Sequence, residues 1–357
     1  MRINKWLGLL AGAVALLLRG VAAMFPSHTE HIYSRTIFPL IRWLVDYTLS
    51  LLPFPTVYLF FVIIIVCFCG MFFSSRRPEA LRDKLCYLSR SLLNFCGWLI
   101  FFFLLLWGYN YQRVPVYQQL GIEPQMLTPE ELLEEMELTH NRLVQLRAGL
   151  STDTVAIEQT IPYMELEREV RAEMQAVLPQ LGFNSLGHPR TKALYPAGFL
   201  KRMGILGIYF PYTGESYIDP SLHDLEKPFT IAHEMAHSFG ITDEGEANFM
   251  AWVVGMRSHK VLLQYTSQLQ LFRYQLSELS RRDPEHYKLL TAGMDPGIKN
   301  DIISILLKGR ETPPLFDNLS RKSNDLFLKT QGVKKGVQSY AQLPALSHAW
   351  RKKEAEA

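Results

Sequence analysis

The sequence predicts a mainly α-helical protein: three transmembrane helices, followed by an extracytoplasmic, mostly helical α+β domain with a small β-hairpin. Three observations lead there. Three long apolar runs fill the first third of the chain. From Thr128 onward, apolar residues recur with helical period behind recognisable caps. One stretch, 182–219, interrupts that period with glycines, prolines and two short β-patterned segments.

The chain has 357 residues, a formal net charge of +3 and 48% hydrophobic residues. These averages conceal a very apolar beginning and a polar remainder. No basic block interleaved with aromatics follows the apolar part, which argues against a nucleic-acid partner. Cys67, Cys69, Cys86 and Cys96 all lie in or beside the apolar runs. The later domain therefore has no disulfide and no cysteine-ligated zinc.

The first span is Trp6 to Met24, apolar except for Arg19 near its end, where the side chain can snorkel to the interface. Arg2 and Lys5 before it, and Ala22 and Ala23 within it, also suit a signal peptide. The arginine in the apolar run favours an uncleaved anchor. Residues 32–52 mix apolar residues with Arg35, Arg42 and Asp46 and read as an amphipathic helix on the membrane surface. The alternative is a short packed loop helix. Val57 to Phe73 is the second span and Leu92 to Tyr109 the third, with Trp107, Tyr109 and Tyr111 as an interfacial belt. The membrane domain thus covers 1–111.

Basic residues set the orientation. Arg76, Arg77, Arg82, Lys84 and Arg90 crowd the loop 74–91, whereas the loop before the second span has only Arg35 and Arg42. The positive-inside rule places 74–91 and the amino terminus in the cytoplasm. Everything after Tyr111 then lies outside the cell membrane, in the periplasm or beyond.

Residues 112–127 read as a linker and 128–350 as the outer domain. Thr128, Pro129 and Glu131 form a capping-box start for a helix to about Leu150. A second helix spans roughly Thr154 to Leu181, begun afresh near Pro162, with Glu165, Arg168 and Glu169 on a solvated face. Met203 to Phe210 and Glu215 to Asp219 read as strands joined by the turn Pro211-Tyr-Thr-Gly214. Further helices are expected over 250–263, 265–281, 283–292, 298–307 and 319–329. A last one, near 336–350, is bent or broken at Pro344, and 351–357 is a frayed tail.

The chemistry concentrates between Pro228 and Trp252. His233 and His237 are one helical turn apart on one face, a spacing at which two imidazoles can share a Zn²⁺ at ~2.0–2.1 Å. Glu234 beside them suits the general base of a His-Glu-x-x-His site. The plain alternative is a pair of satisfied polar histidines on an amphipathic helix. Three acids compete for the third ligand position: Asp243, Glu244 and Glu246. Asp243 would give a metzincin-like spacing. Glu244 is favoured because it alone comes with Asn248 one turn later, whose amide oxygen can accept the outer N–H of a ligand histidine. Gly240 permits a sharp turn after the first helix, and Thr242 is placed to cap the next. Tyr217, Tyr265 and Tyr340 are candidate oxyanion donors, each of which also reads as an ordinary structural tyrosine.

Several of these segments resemble a bacterial membrane family called domain of unknown function 3810. They are Trp107-Gly-Tyr-Asn-Tyr-Gln-Arg-Val-Pro, Pro211-Tyr-Thr-Gly-Glu, Leu225 to His237, Glu244-Gly-Glu-Ala-Asn-Phe and Asn324-Asp-Leu-Phe-Leu-Lys-Thr-Gln-Gly-Val. The likeness runs over nearly the whole chain. It implies a zincin-like domain and a zinc metallopeptidase in the bacterial inner membrane. Glu244 and Asn248 also resemble the third-ligand pair of gluzincins, although those usually have Asp where Asn248 stands, and the gap after His237 is shorter here. Expected partners are a peptide or protein substrate and membrane lipid. The competing expectation is a non-enzymatic membrane scaffold with a structural or vestigial metal site.

Overall fold

The computed structural model describes residues 6–75, 80–158, 161–315, 317–331 and 342–356, without the side chains of 317–321, 324 and 327. Arg2, Lys5, Arg76, Arg77, Tyr340, residues 336–341 of the expected last helix and the Asn324 side chain lie outside that description. The chain divides into two compact units. The first comprises Met1–Val114 with Phe210–Glu215; the second comprises Pro115–Tyr209 with Ser216–Ala357.

The first unit is built on α1 (Leu7–Met24), α2 (Phe38–Asp46), α3 (Val57–Ser75) and α4 (Leu81–Leu106). Helices α1, α3 and α4 are each long and apolar enough to cross a membrane. Their apolar side chains face outward, as a lipid surround requires. Glycines let α1 and α4 approach backbone to backbone: a Cβ on Gly12 would stand 2.7 Å from the Gly97 carbonyl oxygen and 2.8 Å from its Cα. Asn94 of α4 caps α1 from across this contact, its Oδ1 accepting from Gly8 N at 2.7 Å and Leu9 N at 3.3 Å. Those first-turn amides have no partner in their own helix.

The third apolar helix begins earlier than expected. Residues 81–91, expected as loop, form its first three turns. Leu81, Leu85 and Leu92 keep the helical period going, and Asp83 sits favourably in the first turn.

The 32–52 segment is helical but compound: a π-helical stretch Thr29–Ile37, then α2, then a 3₁₀ turn at Leu49–Leu51. Its amphipathicity is inverted relative to a helix in water. Arg42 and Asp46 are buried and bonded to each other, while Leu40, Trp43 and Leu44 are exposed. Arg42 also donates to the Gly214 carbonyl, and Glu30 takes Arg35 at 2.9 Å and Arg113 at 2.8 Å. An ionic inner face and an apolar outer face suit an apolar solvent. In the same unit Tyr212 stacks on Phe60 at 4.8 Å.

The second unit is largely helical. It carries α5 (Pro129–Ala148), α6 (Tyr163–Gln180), a small sheet, then α7 (Lys227–Ser238), α8 (Glu244–Arg257), α9 (Val261–Arg282), α10 (Pro284–Ala292), α11 (Pro296–Arg310), α12 (Asp317–Gln331) and α13 (Leu343–Glu356). The capping box of α5 forms in full: Thr128 Oγ1 accepts from Glu131 N while the Glu131 carboxylate accepts from Thr128 N. The stretch before it is packed, with Val116, Leu120, Ile122 and Leu127 buried in the core.

On α6, Glu169 pairs with Lys260 at the surface as expected for a solvated face, whereas Glu167 and Arg171 of the same helix are a buried pair. Pro344 stands in the first turn of α13, where its missing N–H costs nothing; the part of the expected helix before 342 lies outside the described residues. The helix then continues through Glu356. Residues 351–356 are not frayed, because Arg351 bonds Glu135 and Lys353 donates to the Leu120 carbonyl.

Three strands form one sheet in the order β1-β3-β2: β1 (Thr191–Ala193), β2 (Gly207–Phe210) and β3 (Glu215–Ile218). Strands β2 and β3 are the expected pair joined through Pro211–Gly214. Strand β1 was not expected. It runs parallel to β3, with Thr191 opposite Ser216. Strand β2 is therefore an edge.

Candidate metal centre

Helix α7 carries His233, Glu234 and His237. Pro228 sits in its first turn, where proline is tolerated, and Pro228 to Ser238 are all buried. Its end is a Schellman turn. Gly240, at φ +83°, donates to the His237 carbonyl at 3.0 Å, and Ile241 N donates to Ala236 O at 3.2 Å. Only a residue without a Cβ takes that φ freely. The turn folds the Ile241 carbonyl back onto the helix, where it accepts from His237 Nδ1 at 2.7 Å. A carbonyl only accepts, so Nδ1 carries the proton and Nε2 faces the site.

The same turn delivers α8. Asp243 caps it, its carboxylate accepting from Glu246 N at 3.1 Å. Thr242, expected as the cap, stands one residue too early. Glu244 is then the first helical residue. Its Oε2 lies 3.1 Å from His233 Nε2 and 3.2 Å from His237 Nε2. Glu246 instead takes the Tyr117 backbone N–H at 3.3 Å. The three acids thus have three different partners, and only Glu244 joins the histidines. The His233, His237 and Glu244 ligand atoms all lie within 4.8 Å of one another.

Such a set can hold a metal ion. Two imidazole nitrogens and one carboxylate oxygen leave one of four tetrahedral positions for water or substrate. Ligand atoms at ~2.0–2.2 Å on a tetrahedral zinc stand on the order of 3.3 Å apart. The Glu244 oxygen is at about that separation from both imidazole nitrogens.

Electrostatics follow from burial. Burial pushes the Glu234 carboxyl up to about 7, against the two histidines, which pull it down. Burial works against a charged Glu244 too, yet His237 and His233 override it and hold Glu244 well below the usual carboxylate range. His237 is raised: burial opposes its charge, and the Glu244 carboxylate and hydrogen bond outweigh it. A cation placed among these groups takes over the role of the Nε2 proton.

Around this set, Asn248 Nδ2 donates to the Tyr274 hydroxyl at 3.2 Å. Burial raises the Tyr274 pKa, so its hydroxyl stays protonated. Tyr265 is committed elsewhere, donating to Asp301 in the core. Tyr217 is fully buried in β3; its neighbour Ser216 faces α7, so Tyr217 points to the other side of the sheet. Three contributors were not read from the sequence: the Ile241 carbonyl, Tyr274, and the Gly207 backbone against Glu234. A backbone carbonyl has no sequence signature beyond the glycine that turns it. Tyr274 is 26 residues from Asn248, so no local spacing links them.

No curated protein and no solved structure matches the chain. One family does, over residues 33–347, which include all of the residues just described. By that match the chain belongs to the family described as protein of unknown function, DUF3810.

Proposed function

We propose that this chain is a membrane-anchored, zinc-dependent peptidase whose second unit is a zincin-like domain. One observation carries the reading: the convergence of His233 Nε2, His237 Nε2 and a single Glu244 oxygen, with the buried Glu234 on the same helix. Zinc in such a site supplies a Lewis acid that polarises a carbonyl and acidifies water. Glu234 is the base that takes the water's proton and returns it to the leaving amine. Its burial raises its affinity for a proton, the direction that favours taking one up from water. Ile241 holds His237 in the tautomer that leaves Nε2 toward the metal.

Strand β2 lies at an edge of the sheet, the position at which an extended peptide can be taken by strand addition. Three span-length helices and the basic residues of 74–91 support a bacterial inner-membrane location with the second unit outside. A membrane-bound, extracytoplasmic peptide or protein is the substrate class that fits.

The test is Glu234→Gln, which keeps the side chain's shape and removes the base. Zinc content and folding should match wild type, while cleavage in a peptide-library assay, or complementation, falls by ~10²–10⁴. A mutant that works normally at matched zinc occupancy would sink the peptidase and leave a scaffold with a structural metal.

A further inference from the structure

We infer that Gly207 is a positioning residue for the Glu234 carboxylate, a role that rests on the peptidase reading above. Gly207 opens the edge strand β2. A Cβ at this position would stand 2.5 Å from Glu234 Oε1, 2.7 Å from its Cγ and 2.8 Å from its Cδ. Real Cβ atoms essentially never come within 3.0 Å of a heavy atom of a residue distant in the chain. The conflict runs along the side chain from Cγ outward, so spinning the carboxylate about its last bond does not relieve it. The side chain has to leave its place.

The backbone gives no other reason for glycine here. Gly207 is not among the residues with positive φ, so an L-residue could adopt its conformation. What excludes a side chain is the close approach of Glu234.

The main chain of Glu234 cannot follow such a displacement easily, because the neighbouring strand holds it. Ser216 of β3 donates to the Glu234 carbonyl at 2.7 Å and pairs with Ser238 Oγ at 2.9 Å. Two adjacent strands therefore meet one residue, β3 at its backbone and β2 at its side chain. None of the atoms closest to the missing Cβ belongs to His233, His237 or Glu244. The geometry separates the base from the ligands: Gly207 governs where the carboxylate sits and leaves the metal set alone.

The test is a cycle of four full-length proteins in detergent: wild type, Gly207→Ala, Glu234→Ala and the double variant. Zinc stoichiometry and the thermal midpoint are read for each. Gly207→Ala should lower the midpoint by several degrees in the wild-type background and by less than half as much when Glu234 is already Ala. Zinc content should be equal in all four. An equal drop in both backgrounds, or loss of zinc in Gly207→Ala, overturns the inference. If Gly207→Ala alone fails to fold, the double variant must fold, and failure of both overturns it as well.

With a cleavage assay, Gly207→Ala should lower kcat by ~10²-fold with little change in KM, since base geometry rather than binding is disturbed. Adding it to Glu234→Gln should cost nothing further. A Glu234→Gln protein of full activity with a coupled thermal cycle would reject the peptidase reading while leaving the contact intact.

Discussion

The Glu244 carboxylate oxygen Oε2 stands 3.2 Å from His237 Nε2, although the two residues lie on different helices. The Schellman turn between them closes that distance in seven residues. It leaves Asp243 and Glu246 with hydrogen bonds of their own.

Metal content should therefore separate the three acids. His233→Ala, His237→Ala and Glu244→Ala each remove a donor atom and should abolish stoichiometric zinc. Asp243→Ala should lose a helix cap, about 1 kcal/mol of stability, and keep its metal. Glu246→Ala should also keep it. Metal analysis of purified variants decides; an empty Asp243→Ala beside a loaded Glu244→Ala would overturn the assignment.

Asn248→Ala probes the layer behind the ligands. It removes the side chain expected to accept from a ligand histidine one turn after Glu244, and loss of such a partner weakens metal affinity by ~10–100-fold. Competition with a chelator of known affinity measures the change. Unaltered affinity would make the Asn248–Tyr274 bond purely structural.

The sequence made some of this arrangement legible and hid the rest for physical reasons. Helix α5 was readable because its cap is local: Thr128 and Glu131 are three residues apart. Glu244 was readable because an acid and an amide at one-turn spacing are also local, though the amide's described partner is Tyr274. Strand β1 was not readable, because Thr191-Lys-Ala is too short to display a period of two. Nor was Gly207, since what makes it glycine is a carboxylate 27 positions away. The start of α4 was obscured by Arg82, Lys84 and Arg90, whose charge suggests a loop while the leucines among them continue the helix. The Gly8, Gly12 and Gly97 contact was missed because small residues in an apolar run look like filler until two helices cross at them.

That crossing is itself testable. Gly97→Val places a side chain against the backbone of α1, which has no flexible end to move aside. Asn94→Ala leaves two α1 amides without their acceptor, at a cost of ~1–3 kcal/mol. Both should lower the thermal midpoint in detergent, with the valine having the larger effect. A Gly97→Val protein as stable as wild type would rule out close α1–α4 packing.

The proposed orientation rests on the basic residues of 74–91. With the basic residues of 74–91 inside the cell, a reporter fused after Ala357 should be active only on the outer side of the membrane. Cytoplasmic activity of that fusion would reverse the topology and remove extracytoplasmic substrates from consideration.

The acid limb of stability should pass through Asp219 at the end of β3. Its carboxylate is fully buried and accepts from Gly198 N at 2.8 Å, Ser221 N at 2.9 Å, Ser221 Oγ at 2.7 Å and Lys201 N at 3.2 Å. Burial alone would raise its pKa, but the Ser221 hydroxyl and the three backbone N–H groups outweigh that and lower it. The sign follows. A folded-state value below the unfolded ~3.9 means the contribution is complete above about pH 4. It is lost as pH falls through the folded value. Asp219→Asn keeps the shape but sets an amide against a ring of donors, and should cost ~1.5–3 kcal/mol near pH 7. The gap between wild type and mutant thermal midpoints should then narrow steadily below about pH 4, as the wild-type carboxylate takes up its proton. A gap that stays constant down to pH 2 would mean that these four hydrogen bonds do not depend on the charge.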